Sequence, residues 1–230
     1  MTRLAQRIRL GREDGFSLTE LLVSIPIGVV LLTAVFMMMR TTVRHSVNVA
    51  DRTEAVQRGR TAMERVTRQL HSQVCPTTTG TALTTADANT ITFYTDMSGG
   101  ASQPEQHTIT YDPTGQTLTQ YEYAGSSGTW PNINYPGSPT RTRQMLNNVT
   151  AMSGVPFFRY YQYAADGTVS ATPMSTPVSQ ANLPRVVNVA VGFVSKPRKA
   201  TASSPSTTFQ GEASMRTSDP NNPTQNARCL

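Results

Sequence analysis

The sequence predicts an α+β chain: one long N-terminal helix, transmembrane and then amphipathic, followed by a globular head with an antiparallel β-sheet. Three observations predict it. Residues 16–39, FSLTELLVSIPIGVVLLTAVFMMM, are apolar except for Ser17, Thr19, Glu20, Ser24 and Thr33. At about 1.5 Å of rise per residue, such a helix covers roughly 36 Å and exceeds a hydrocarbon core of about 30 Å. Apolar residues then recur at helical steps as far as Cys75-Pro76, and beyond that point apolar and polar residues alternate between turn signals.

Taken in order, residues 1–15 hold Arg3, Arg7, Arg9 and Arg12 without a sustained apolar face, and read as a solvated leader with no part in the fold. Residues 16–39 form the transmembrane part of the helix. Pro26 removes one backbone donor and Gly28 weakens the same turn, which predicts a kink or local melt inside the span. Residues 40–75 are the amphipathic continuation, with Val43, Val47, Ala50, Met63, Val66, Leu70 and Val74 read as one stripe and Gly59 as a milder soft point. The helix is expected to reach about Val74, roughly 88 Å from Phe16. Cys75-Pro76 ends it, because the residue before a proline is pushed out of helical geometry.

Residues 76–230 are the β-rich head with a loop-rich tail. Residues 77–90 read as loop. Thr90 to Thr95 has strand spacing, and His107 to Tyr111 and Thr117 to Tyr123 flank Asp112-Pro113-Thr114-Gly115-Gln116, which predicts a hairpin. Residues 124–140 read as an exposed loop with Trp130 as its anchor. Phe157 to Tyr163 is a strand ended by Ala164-Ala165-Asp166-Gly167. Arg185 to Val194 sets Val187, Val189, Val191 and Phe193 on a bulky face expected to lie on the helix. Thr207 to Arg216 is the last strand, with Phe209, Gly211, Ala213 and Met215 in register, and Asp219 to Leu230 is a polar tail.

Charge narrows the function classes. The chain carries a net +6, but residues 75–230 hold nine Lys or Arg against eight Asp or Glu, whereas residues 40–74 hold seven arginines against three acids. Because the basic excess belongs to the helix and leader, nucleic-acid binding by the head has no support. His45, His71 and His107 lie apart from carboxylates and thiols at ligand spacing, so no metal site is expected. No nucleophile and base arrangement and no phosphate loop stands out; the chain is read as no enzyme, with no catalytic residue and no cofactor. The aromatic run from Phe157 to Tyr163 fits strand packing better than a ligand platform. Arg40 and Arg44 suit lipid headgroups. The arginines on to Arg68 are read as headgroup contacts, as partners for acids on a neighbouring subunit, or as a solvated face.

Glu20 is the residue a plain anchor does not explain. A carboxylate at a helix centre in a bilayer costs about 2.5–3.5 kcal/mol, less near an end, and calls for a partner. A secretory signal would have a shorter apolar region and a small-residue cleavage site, whereas this run ends in Met37-Met38-Met39-Arg40.

Gly15 followed by Phe-Ser-Leu-Thr-Glu-Leu-Leu-Val, after a basic leader and before a long apolar run, resembles the N-terminal signature of type IV pilins and type II secretion pseudopilins. The strong match covers residues 12–36. The resemblance implies cleavage by a prepilin peptidase between Gly15 and Phe16, N-methylation of Phe16, and a role for Glu20 in filament assembly through the N-terminal amine of a neighbouring subunit. It also implies a pilin-like fold, most similar to the larger J-type pseudopilins and W-type minor pilins. Thr19 stands where an aliphatic residue is commoner, and Pro26 lies earlier than the helix-breaking proline of typical major pilins.

The function expected on this resemblance is that of a minor pilin or pseudopilin, a structural and assembly subunit of a type IV pilus-like filament. Its expected partners are prepilin peptidase, other pilins or pseudopilins, an inner-membrane assembly platform and membrane lipid. Its expected place is a single pass through the cytoplasmic membrane, with the N-terminus inside and the head outside, then a surface or periplasmic filament after assembly. Alternative readings are a type II secretion pseudopilin at a filament tip, a competence-type pilin, and an anchored binding module that never polymerises. Cys75 and Cys229 are the two cysteines, and in an oxidising compartment they are expected to form a disulfide that ties the tail to the end of the helix.

Overall fold

A computed structural model describes residue 15 and residues 17–75, 81–96, 103–129, 132–198 and 204–215. The first element is α1 (Leu18–His71), a helix of 54 residues. Its start follows from Ser17, whose Oγ accepts a hydrogen bond from the Glu20 backbone N–H at 3.2 Å, while the Leu21 N–H donates to the Ser17 carbonyl at 3.1 Å. Ser17 thus satisfies orphan donors of the first turn. The helix runs unbroken past Pro26 and Gly28, so the expected local melt does not occur. Polar groups on this segment are closed off locally: Ser24 Oγ donates to the Leu21 carbonyl at 3.2 Å and Thr33 Oγ1 to the Val29 carbonyl at 2.8 Å. Internal satisfaction of this kind lets a hydroxyl sit in an apolar stretch.

The chain divides into two compact units, and the division falls within α1 between Val47 and Asn48. In the first unit the described helix buries nothing. In the second, Ala55, Gly59, Ala62, Met63, Val66, Gln69 and Leu70 are buried. This corrects the single-stripe reading. From Ala50 to Met63 is thirteen residues, which at about 100° each leaves them about 140° apart around the axis. Met63, Val66 and Leu70 belong to the buried face, and Val43 and Val47 to an exposed one, each at least 52% exposed. The helix also ends at His71 rather than near Val74. Gln73 leaves it to bridge Thr95, and the Val74 N–H donates to the Tyr94 carbonyl at 3.1 Å, so sheet pairing takes over from helical bonds.

Two larger antiparallel sheets and a two-stranded one complete the second unit. The first comprises β1 (Leu83–Ala86), β2 (Thr90–Thr95), β3 (Glu105–Asp112), β4 (Thr117–Tyr123) and β7 (Arg141–Asn147), in spatial order β1-β2-β3-β4-β7. The expected hairpin is β3–β4, with Asp112 opposite Thr117 and the Thr114 N–H donating to Asp112 Oδ1 at 2.9 Å. β1 corrects the reading of residues 77–90 as loop: its Thr- and Ala-rich sequence pairs with β2, burying Leu83 and Ala86. Inside the expected loop 124–140 lies a small hairpin, β5 (Ser127–Thr129) with β6 (Asn132–Asn134). Trp130 lies outside the described residues. The anchor seen there is Tyr135, whose hydroxyl donates to the Pro104 carbonyl at 3.0 Å and whose ring lies 5.2 Å from that of Tyr94.

The second sheet is centred on β10 (Asn188–Ser195). β11 (Thr207–Ser214) runs along one side of it, and β8 (Val149–Ala151) and β9 (Phe158–Tyr161) share the other side end to end. The chain passes from β7 to β8 through Asn148, in left-handed geometry at φ 52°. Its side-chain amide donates to the Pro197 and Arg198 carbonyls at 2.9 and 2.7 Å, which fixes the crossing from one sheet to the other.

The bulky face of β10 lies toward α1 as expected: Ser195 Oγ donates to the Ala55 carbonyl at 3.2 Å. Ala190 and Asn188 on the opposite face are buried as well, and on that face a Cβ at Gly192 would meet the Met152 side chain. Rings at Phe209, Phe193, Phe157 and Tyr111 stack in series at 5.5, 5.4 and 4.7 Å, so one apolar column joins β11, β10 and β3. Such pairs contribute about 0.5–1.5 kcal/mol each beyond their burial.

Candidate assembly segment

The residues singled out from the sequence fall at the two ends of α1. Gly15, Ser17 and Glu20 are all exposed at its start. Phe16 and the leader up to residue 14 lie outside the described residues. A Cβ at Gly15 would meet nothing within 4 Å, and its φ is not in the left-handed region. Neither packing nor backbone geometry therefore demands glycine there. Glu20 stands third after the capping Ser17, and its carboxylate makes no ion pair or hydrogen bond with a described residue. An acidic residue in the first turn complements the positive end of the helix dipole.

From Leu18 to Met39 the large apolar side chains are all exposed, none below 52% and Leu18 up to 82%. Burying one such side chain is worth about 1.5–3 kcal/mol, so fifteen left in water represent tens of kcal/mol of unused driving force. This is the one described helix long and apolar enough to cross a membrane. Arg40, Arg44 and His45 follow it, also exposed.

Farther along, the arginines divide. Arg58 lies 4.0 Å from Glu54, and its guanidinium donates to Asn147 Oδ1; Arg60 pairs with Glu64 at 2.7 Å; and Arg65 reaches Glu122 on β4 at 3.5 Å. Burial pulls the Arg58 and Arg65 guanidiniums below the ordinary arginine range, with Glu54 and Glu122 opposing the shift. Arg65, Glu122 and Arg141 were not legible as a group, because their spacing in sequence carries no signal.

At the far end of α1, Cys75 is buried and is not a free thiol. Cys229, its expected partner, lies outside the described residues. His45 and His71 are exposed. His107 is not solvated: at 2% exposure its Nε2 lies 3.0 Å from Glu105 Oε2 and its Nδ1 accepts from Gln120 Nε2 at 2.9 Å, which places the proton on Nε2. Among the described residues no three or more His, Cys, Asp or Glu are grouped to hold a metal ion. Phe157, Phe158 and Tyr160 are fully buried, and the Tyr160 hydroxyl donates to the Asp87 carbonyl at 2.9 Å, so these three pack the core, while Tyr161 and Tyr163 are half-buried.

No protein-family model matches the chain, and no curated protein matches it at significant similarity.

Proposed function

We propose that the chain is a minor pilin or pseudopilin, a structural and assembly subunit of a type IV pilus-like filament processed by a prepilin peptidase. The observation that carries this reading is the start of α1. A glycine that the fold does not require precedes a capped helix, Glu20 lies in its first turn without a partner among the described residues, and the apolar face that follows is uncovered by them. An anchor needs only the apolar face. The glycine and the carboxylate gain a use if cleavage after Gly15 creates an amine at Phe16, because that cation can pair with Glu20 of the same or an adjacent subunit where water is scarce.

The pilin-like character of the head belongs to the same proposal, as does the topology: N-terminus inside, one pass through the cytoplasmic membrane, head in an oxidising compartment. There Cys75 and Cys229 would be bridged. The partners are prepilin peptidase, other pilins or pseudopilins, an assembly platform and lipid. Intact-mass measurement of native protein tests the reading: a chain beginning at Phe16 with one added methyl group is expected, with its net charge reduced from +6 by loss of four arginines and two acids. A native chain retaining residues 1–15 is the result expected of a non-polymerising anchored module, and it would overturn the proposal.

A further inference from the structure

β7 is a terminal strand of the first sheet, and among the described residues nothing pairs with its outer side. Its register sets Arg141 opposite Glu122 and Arg143 opposite Gln120. Gln120 is fully buried and, two residues before Glu122, shares its face of β4; Glu122 is met from α1 by Arg65, so both β7 arginines lie on the helix side of the sheet. Arg68, three residues after Arg65, adds a fourth guanidinium. Against these four stands one carboxylate: Glu122 Oε1 is 3.5 Å from Arg65 Nη2, and Oε2 is 3.9 Å from Arg141 Nη1. Arg68 and Arg143 have no acidic partner among the described residues, and the buried Nε of Arg65 has no hydrogen-bond acceptor. Burial first, then Arg143, Arg141 and Arg68, lower the Arg65 pKa, with Glu122 working against them. The cluster is short of negative charge beside an open sheet edge.

We propose that β7 receives an extended acidic segment of a partner protein, added as a strand along its free edge with carboxylates at alternate positions facing Arg141, Arg143 and the arginines of α1. Strand geometry supports this occupant. Side chains two apart on a strand recur at about 6.6–6.8 Å on one face, so acids at alternate positions keep step with Arg141 and Arg143. Pairing of β7 with β7 of a second copy would set arginines near arginines, the charge device by which edges resist self-association. A flat lipid surface fits less well, because Arg65 and Glu122 are recessed, with side chains 32% and 14% exposed.

The test uses the full chain in a neutral detergent and a fluorescent peptide of about eight residues alternating Thr and Glu, long enough to cover one strand. Saturable binding that weakens with salt is expected, with amide hydrogen-exchange protection gained at residues 141–147. The double variant Arg141→Ser, Arg143→Ser should bind about tenfold or more weakly, the equivalent of about 1.4 kcal/mol, and the reversed pair Arg141→Glu, Arg143→Glu should take a Thr-Lys peptide instead. No saturable binding, or binding without new protection at 141–147, overturns the proposal on the parent protein alone, whether or not a variant folds. Equal binding of an oligothymidylate or of phosphatidylglycerol vesicles, lost with the same arginines, would assign the cluster to phosphates and overturn it too. Binding is read on unassembled protein, so the result does not depend on filament formation.

Discussion

Glu20 and Tyr135 show how a single residue's surroundings set its chemistry. Glu20 sits where the helix dipole and the Ser17 cap already satisfy the first turn, so its carboxylate is spare. If that spare charge pairs with the new amine at Phe16, Glu20→Ala should leave membrane insertion and leader removal intact while lowering recovery of the protein in sheared filaments or crosslinked pilin complexes. Recovery at the parent level would remove the pairing role and leave Glu20 as a first-turn residue favoured by the dipole. Tyr135 is governed by desolvation. Its phenol is held between Pro104 and the Tyr94 ring, and burial first, then Tyr94 and Glu105, push its pKa up to about 12. An ordinary tyrosine ionises near pH 10. The folded value lies above the unfolded one, so the stability linked to this proton is complete below about pH 10 and is lost as pH climbs toward about 12. The difference in tyrosinate absorbance between parent and Tyr135→Phe should titrate near the upper value, and a midpoint near the ordinary one would show that the ring is solvated.

At the level of elements, α1 meets the second sheet through its smallest residues. Ala55, Gly59 and Ala62 recur at i, i+4 and i+7, and a Cβ at Gly59 would overlap the ring of Phe209, which is stacked on Phe193. Opposite, a Cβ at Gly211 would come within 2.8 Å of Met63 Sδ. Gly59 is therefore more than a soft point: it is a place where the Phe209 ring lies directly against the helix backbone. Gly59→Ala gains about 1 kcal/mol of helix propensity but overpacks a filled contact at about 1–3 kcal/mol. A net loss is expected in chemical denaturation of the full chain, relieved by adding Phe209→Leu; a stabilised single variant would refute the close approach. The elements readable from sequence were those with a strong period and turn chemistry, as in β3–β4 around Asp112 and in β10. β7 was not readable, because Arg-Thr-Arg-Gln-Met-Leu-Asn is an edge strand with charge on its inner side and only Leu146 fully buried. The cap at Ser17 and Glu20 is local and could be read in advance. The contact of Arg65 with Glu122 joins residues 57 apart, a relation that only strand register creates.

For the whole molecule, Cys75 decides how much one covalent link could add to the head. Cys75 stands where α1 has ended and the chain turns toward the first sheet, buried at 6% exposure and not free. The only other cysteine, Cys229, is next to the last residue of the sequence. A bridge between them would close nearly the entire head into one loop. In the chain-entropy model a loop of this length removes about 5 kcal/mol of freedom from the unfolded state, an upper figure because strain in the folded state subtracts from it. The stabilisation matters for the head of a chain that is only 37% hydrophobic overall, with fifteen large apolar residues committed to the first half of α1 instead of the core. Native protein, unreduced, should show no thiol reactive to alkylation after denaturation. Cys229→Ser should lower resistance to denaturant by several kcal/mol at most, and a reducing agent should reproduce that loss in the parent and add nothing in the variant. Two alkylated cysteines in unreduced native protein, or a reductant effect that persists in Cys229→Ser, would show that the tail is not tied to the end of the helix.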